Sequence, residues 1–278
     1  MTQPRILAQP SPHALFLHLG VRADRAAPGW KALVDGVDLS RTVVGIGQPL
    51  AMALGLNVAD LHPFTAMSVP GIDWPSTQAA LWVALYGEDD GELLHEARRL
   101  QKVLGEGFFV EDCISAYQFK EGRDLSGYLD GTANPAGTAA EEVAFREDGS
   151  SFVSTQRWLH NLEALEAMSQ LHRDHMIGRR HSDNEEIADA PDSAHVKRTA
   201  QEEVGFLLRR SMPWGSLGRA GLAFVAYCRD PETFEAHGRR MLGLTDGVQD
   251  ALFQMSRPLT GALYWCPGVG ADGRLRLS

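Results

Sequence analysis

Cysteine is scarce in this sequence. Of 278 residues only Cys113, Cys228 and Cys266 are cysteines, and no two of them stand at CxxC spacing. An odd, scattered set excludes a disulfide framework and fits a reducing compartment, with each cysteine a small buried hydrophobe. Long apolar runs are missing too. Residues 14–20 are apolar but far too short to span a bilayer. The opening MTQPRILAQPSPHALFLHLG has no charged region leading into a long apolar stretch and no paired arginine. These absences predict a cytoplasmic protein outside the membrane. Positive charge is in deficit: Lys and Arg number 26 against 36 Asp and Glu, a net charge of −10. Nucleic-acid and anionic-membrane binders need a basic face, so both classes are excluded. No Gly/Ser linker and no low-complexity tract divides the chain.

What is present is an ordinary globular composition, 44% hydrophobic and 22% charged. The length suits one large domain or two modest ones. Apolar patterning predicts a strand at 14–19, a helix at 22–34, strands at 41–47 and 78–86, a helix at 92–104 and a strand at 108–119. The helix at 92–104 carries Leu93, Leu94, Ala97, Leu100 and Leu104 on one stripe. The order then repeats: a strand at 151–159, a helix at 162–175, strands at 203–210 and 220–228, a helix at 231–242 and a strand at 259–266. Asp230 is the expected cap of the last helix, with Pro231 at its first position. Two β-α-β-β-α-β runs predict an α+β chain of two ferredoxin-like units, 1–120 and 151–278. Each unit is expected to form its own antiparallel sheet with helices on one side. Such sheets are expected to associate through their faces into a homo-oligomer.

Two stretches break the pattern: 121–150, joining the units, and 177–200, inside the second. Loops longer than about a dozen residues are usually functional or disordered, and neither stretch is of biased composition. The first holds Gly127-Tyr128-Leu129-Asp130-Gly131, whose paired glycines suit a tight turn projecting one carboxylate. Taken alone, a plain Asp-Gly turn is the commoner fate of such a pair. The second holds His195, after an acidic run and before Lys197 and Arg198. A neutral imidazole binds a metal through one nitrogen while a carboxylate holds the other, although a lone loop histidine is more often solvated.

Further on, Arg209 and Arg210 end an apolar strand. Strand neighbours point to opposite faces, so one arginine is expected in solvent. The other is expected inward, where a guanidinium needs an anion or a reacting oxygen. Leu222 and Phe224 share one face of the following apolar strand, a pattern most often of core alone. His172, His175 and His181 lie near Asp174, and spacing of three puts the first two on one helix face. A zinc hydrolase reading of that cluster lacks the HExxH glutamate.

The segments GYLDGTANP, QRWLHNL, IGRR, NEEI, APDSAH, LLRRSMPWG, GLAFVAY and TDGVQDAL follow one another in that order. Together they resemble the dye-decolorizing peroxidases, most of all the class B, porphyrinogen-peroxidase-like group, over roughly residues 15–264. The GxxDG signature of that family is complete at Gly127–Gly131. The resemblance implies membership of the dimeric α/β-barrel-like superfamily, with haem b (iron protoporphyrin IX) held mainly by the C-terminal unit. It implies hydrogen peroxide as oxidant and organic donors (dyes, phenols, porphyrinogens) oxidised in one-electron steps.

Residue by residue, the resemblance implies His195 as the iron ligand, Asp130 as the distal acid and base, and Arg209 as the distal arginine. Leu222 and Phe224 would shelter the peroxide side, and Asp250 would accept a hydrogen bond from His195. Arg179 would meet a haem propionate and Asn184 would order its loop. Ser211 stands where many class B members have asparagine, so its hydrogen-bonding reach is shorter. Ordinary aspartates titrate near about 3.9, so a carboxylate base implies activity that persists well below neutral pH. Dyes are too large for a pocket lined by Leu222 and Phe224, which implies oxidation at the surface through Trp or Tyr. The rival from the same resemblance is a haem store or iron-release protein without turnover. An intact Asp130/Arg209 pair argues against it, since binding alone does not need one. The tail at 270–278 is only faintly similar to the tail that docks some relatives inside a protein shell, so encapsulation is not expected.

Overall fold

The computed structural model describes residues 1–277. Its first half runs β1 (His13–Val21), α1 (Ala26–Gly36), β2 (Thr42–Ile46), α2 (Gln48–Ala53), β3 (Met67–Val69), β4 (Ile72–Trp74), β5 (Leu81–Gly87), α3 (Asp90–Leu104) and β6 (Phe108–Tyr117). A short α4 (Thr138–Ala144) lies in the joining stretch. The second half runs β7 (Ser151–His160), α5 (Leu162–Ala167), α6 (Gln170–Ile177), α7 (His195–Arg198), α8 (Gln201–Val204), β8 (Leu208–Arg209), β9 (Met212–Ser216), β10 (Arg219–Cys228), α9 (Glu232–Met241), β11 (Ser256–Pro258) and β12 (Ala262–Cys266). Among the described residues no helix is long and apolar enough to cross a membrane.

The apolar runs are strands buried on both faces. In β1, Ala14 and Phe16 join a cluster with Trp82, Tyr86, Tyr227 and Tyr264. The alternate residues Leu15, Leu17 and Leu19 pack instead with Trp30 and Leu33 of α1 and Leu93, Leu100 and Leu104 of α3. That double burial explains why the strands read as nearly unbroken hydrophobic sequence.

The strands pair antiparallel in the order β2-β5-β1-β6 in the first half and β9-β10-β7-β12 in the second. Each half thus sets its second strand beside its third, the third beside its first and the first beside its fourth. Two separate sheets were the expectation, and here the structure differs. β6 pairs with β9 at Ala116↔Trp214 and β12 with β2 at Trp265↔Ile46, so the two halves form one barrel-like sheet. The physical reason is the edge problem: each open half would leave two rows of unpaired backbone groups, and each edge is satisfied by the other half.

Three local expectations also change. The helix expected at 162–175 is broken in two, because Ser169 turns out of helix and caps α6 by accepting a hydrogen bond from His172 N at 3.2 Å. The strand expected at 203–210 shrinks to Leu208–Arg209. Residues Gln201–Val204 are helical instead, and the Gln201 carbonyl oxygen of the side chain accepts from Leu207 N at 2.8 Å. α9 begins one residue later than expected, with the Asp230 carboxylate accepting from Glu232 N at 3.1 Å.

Candidate active site

α6 ends at Gly178, which takes a left-handed conformation (φ +90°). A Cβ there would lie 2.3 Å from Val196 Cγ2, so glycine lets the chain return closely against α7. His195 is the first residue of α7 and lines a cavity of about 100 Å³. Its Nδ1 lies 2.7 Å from Asp250 Oδ2, whose side chain is fully buried. Asp250 is fixed in turn, since its other oxygen accepts from Leu252 N at 2.8 Å and its own N–H donates to Met241 O at 2.8 Å. α7 is clamped by Arg198, which donates from both terminal nitrogens to Asp246 at 2.8 Å each. With Nδ1 committed to a carboxylate, Nε2 is the nitrogen left to ligate.

Asp130 and Arg209 line the same cavity. Arg209 Nη1 stands 3.8 Å from Asp130 Oδ1, with each side chain about a fifth exposed, 20% and 23%. Asp130 Oδ1 also accepts from Gly131 N at 2.7 Å. Arg209 Nε is buried with no hydrogen-bond partner. Together with Leu222, this pair also lines a surface cleft, so the cavity meets solvent at the carboxylate and the guanidinium. Leu222 and Phe224 both face the cavity, while Ala223 and Val225 between and beyond them face the barrel interior. Leu207, Phe234, Met241 and Leu252 complete an apolar wall. His237 also lines the cavity, and burial pushes its imidazole down to about 4 against a hydrogen bond to Gly205 O that favours the charged form. It is therefore a neutral ring over most of the working pH range.

Other expected positions lie elsewhere. Neither arginine of the Arg209-Arg210 pair is in solvent. Arg210 is buried on the far side of its strand and donates to Leu7 O at 2.7 Å and Arg209 O at 3.0 Å. Arg179 does not line the cavity. It pairs with Glu186 at 2.9 Å and donates to Asn184 O at 3.1 Å, because Arg179 and Glu186 face each other across an antiparallel bridge. Asn184 is also outside the cavity, with a positive φ of 62° and its amide donating to Thr132 Oγ1 at 3.1 Å. That bond ties the second irregular stretch to the first. Ser211 faces the surface cleft, and its hydroxyl accepts from Val225 N at 3.4 Å. His172 bonds Gln254 at 2.8 Å and His181 packs edge-on against Tyr128. Among the described residues, no three metal-ligating side chains gather in one place.

The reading of the sequence missed a second carboxylate–histidine pair. His160 lines the cavity, its Nε2 3.0 Å from Asp124 Oδ1 and its Nδ1 2.7 Å from Ser256 Oγ. Burial works to raise the Asp124 carboxyl. Hydrogen bonds from His160 and Ser126, with the charge of His160, outweigh it and hold the group below the ordinary carboxylate range. Strand alternation was the available signal: Gln156, Trp158 and His160 occupy every second position of β7 and all reach the cavity. Trp74, from the first half, also lines it and stacks edge-on to Trp158 at 4.9 Å.

A family model described as "Dyp-type peroxidase, C-terminal" matches residues 121–271. The dye-decolorizing peroxidase of Mycobacterium tuberculosis is 29% identical over 293 residues, 95% of this chain and 88% of that one. That of Mycolicibacterium paratuberculosis is 30% identical over 298 residues, 96% of this chain and 84% of that one. A Rhodococcus jostii DypB variant solved in complex with heme superposes with a TM-score of 0.84 at 28% identity, covering 96% of both chains. The family model spans more than half of the chain and takes in Asp130, His195 and Arg209, which line the cavity, and Asp250, which holds His195. This chain therefore belongs to the Dyp-type peroxidase family and is an enzyme of that type.

Proposed function

We propose that this chain is a haem peroxidase that reduces hydrogen peroxide and takes electrons singly from organic donors such as dyes, phenols or porphyrinogens. The observation that carries the reading is one cavity holding two kinds of group. A carboxylate-held imidazole lies in its interior, and a carboxylate–guanidinium pair stands where it meets the surface cleft.

The residues fit haem b. The cavity opens at the surface cleft, and cofactor sites are typically concave and mostly apolar with a few convergent polar groups. Its walls are largely apolar, His195 Nε2 is the nitrogen free to ligate, and Arg209 Nε is a buried donor without a partner. When bound, haem supplies an iron that takes up the oxidising equivalents of peroxide and accepts electrons from donors.

The chain's own groups do the rest. Asp250 accepts the His195 N–H, which orients the ring and raises its basicity. Asp130 takes the proton from the inner peroxide oxygen and returns it to the outer one, which leaves as water. Arg209 offers planar donors to the negative charge that develops on those oxygens. Leu222 and Phe224 narrow the approach, so small oxidants enter and large donors stay outside. A haem store would have no use for the Asp130/Arg209 pair.

The same reading takes the halves as ferredoxin-like units, 1–120 and 151–278 joined by 121–150. Their shared strand order supports it. The motif order supports class B, and three free cysteines support a cytoplasmic setting.

The test is the visible spectrum of the haem-reconstituted protein before and after one equivalent of peroxide, with steady-state oxidation of a small phenol. A histidine-ligated spectrum that changes with peroxide, together with phenol turnover, is the expected result. His195→Ala should lose the parent spectrum; a variant that keeps it unaltered overturns the assignment.

A further inference from the structure

We infer that Asn134 is the positioning residue that sets Asp130 and Arg209 at their working separation, an inference that rests on the peroxidase reading above. Asn134 itself faces the surface cleft and does not line the cavity. Its side-chain amide is paired twice with the backbone of Arg209, 75 positions away. Nδ2 donates to Arg209 O at 3.0 Å and Oδ1 accepts from Arg209 N at 2.9 Å.

The N–H and C=O of one strand residue point to the same edge. β8 ends the sheet and has only β10 beside it. The Arg209 backbone groups point away from β10, and the Asn134 amide satisfies both as a neighbouring peptide would. A strand two residues long would otherwise hold Arg209 by one edge alone.

The loop side of the link is as short. Asn134 N donates to Gly131 O at 2.9 Å, and Gly131 N donates to the Asp130 carboxylate at 2.7 Å. Only Gly131 and Asn134 stand between the carboxylate and the backbone of the arginine. Gly131 has φ +76°, and a Cβ there would lie 2.8 Å from Asn134 Nδ2, so glycine is needed for the amide to reach its place. Ala133 O is held as well, accepting from Gln201 Nε2 at 2.7 Å.

The outcome is a 3.8 Å gap between Arg209 Nη1 and Asp130 Oδ1. This is too long for a direct hydrogen bond and suits two groups that must both address one small ligand. Asn134 touches no reacting atom; it acts through the two residues it joins.

The test uses the haem-loaded parent, Asn134→Ala and Asn134→Asp. The aspartate variant keeps the size and the acceptor but sets an oxygen against Arg209 O. Misplacement by about 1 Å lowers a rate by about 100-fold, so the peroxide reaction, followed by stopped flow, should fall by about 10- to 100-fold in both variants. Cyanide affinity, titrated optically without turnover, should weaken, and the acid limb of the pH–rate profile should move. Asn134→Ala should cost less on top of Arg209→Leu than in the parent, since part of its effect runs through Arg209.

A purely structural role predicts a lower melting temperature and poorer haem retention, with rate per loaded haem, cyanide affinity and pH profile unchanged. That pattern, or strict additivity with Arg209→Leu, overturns the inference. Should Asn134→Ala fail to keep its haem, the near-isosteric Asn134→Asp carries the same comparison. A parent that takes up haem yet does not react with peroxide overturns the peroxidase reading and this inference with it; a reactive parent with unchanged variants overturns the inference alone.

Discussion

In the proposed peroxidase reaction Asp130 and Arg209, 3.8 Å apart, have different duties. The carboxylate can move a proton; the guanidinium cannot, and can only stabilise charge. Their losses should therefore differ in kind. Asp130→Asn keeps the shape and removes the base, which should slow the peroxide reaction by about 10²- to 10⁴-fold. Arg209→Leu removes the donors and should slow it by about 10²- to 10³-fold. Stopped-flow mixing of each haem-loaded variant with peroxide checks both, and unchanged rates in the two would remove the proposed chemistry. On the interior side, Asp250 is fully buried, and its two oxygens are held by His195 and by the N–H of Leu252. A buried carboxylate is tolerated on such terms, and the same hydrogen bonds keep the imidazole from turning.

At the scale of elements, the joining loop is tied down at several points rather than draped. Tyr128 donates to Asp174 of α6 at 2.5 Å, Asn134 clasps β8, and Asp124 meets His160 of β7 at 3.0 Å. The Asp124 tie has a calculable acid limit. Its carboxyl is held below the ordinary 3.8 in the folded state. The unfolded chain therefore binds a proton before the native one does. The stabilisation is present above that value and is lost as pH falls through the lower folded value. Asp124→Asn should lower the melting temperature at neutral pH, and the gap from the parent should close as pH drops below 3.8. Thermal unfolding followed by circular dichroism across pH 2 to 7 measures it; a gap independent of pH would contradict the tie.

For the molecule as a whole, the barrel buries groups that one sheet with an open face would leave wet. His18 is part-buried against it, Nδ1 3.0 Å from the Tyr264 hydroxyl, and desolvation pushes its imidazole down to about 4, against the raising influence of Asp112. His237, at the cavity, is likewise pushed down to about 4 by burial. Both rings are neutral in the native state, whereas in the unfolded chain they take protons near 6.5. Unfolding thus binds protons between these values, and stability falls as pH drops from 6.5 to about 4. The melting temperature should decline through that window, and less steeply in His18→Gln. An equal slope in parent and variant would count against the burial of a neutral ring.

The sequence by itself determined most of the elements and pointed to the candidate groups of the site. Double-sided burial wrote the strands as apolar runs and the covering helices as stripes. The motif order marked His195, Asp130, Arg209, Asp250, Leu222 and Phe224, all of which come together at the cavity or, for Asp250, directly behind His195. Tertiary structure decided the rest. It joined two expected sheets into one, sent Arg210 to Leu7 O, turned Arg179 to Glu186, and left Asn184 and Ser211 off the cavity wall. It also made His160–Asp124 and Asn134–Arg209 into pairs. Periodicity records only how each element meets water or core. A hydrogen bond between residues tens of positions apart depends on which strand edges pair and how far each loop reaches, and both are settled only when the barrel closes.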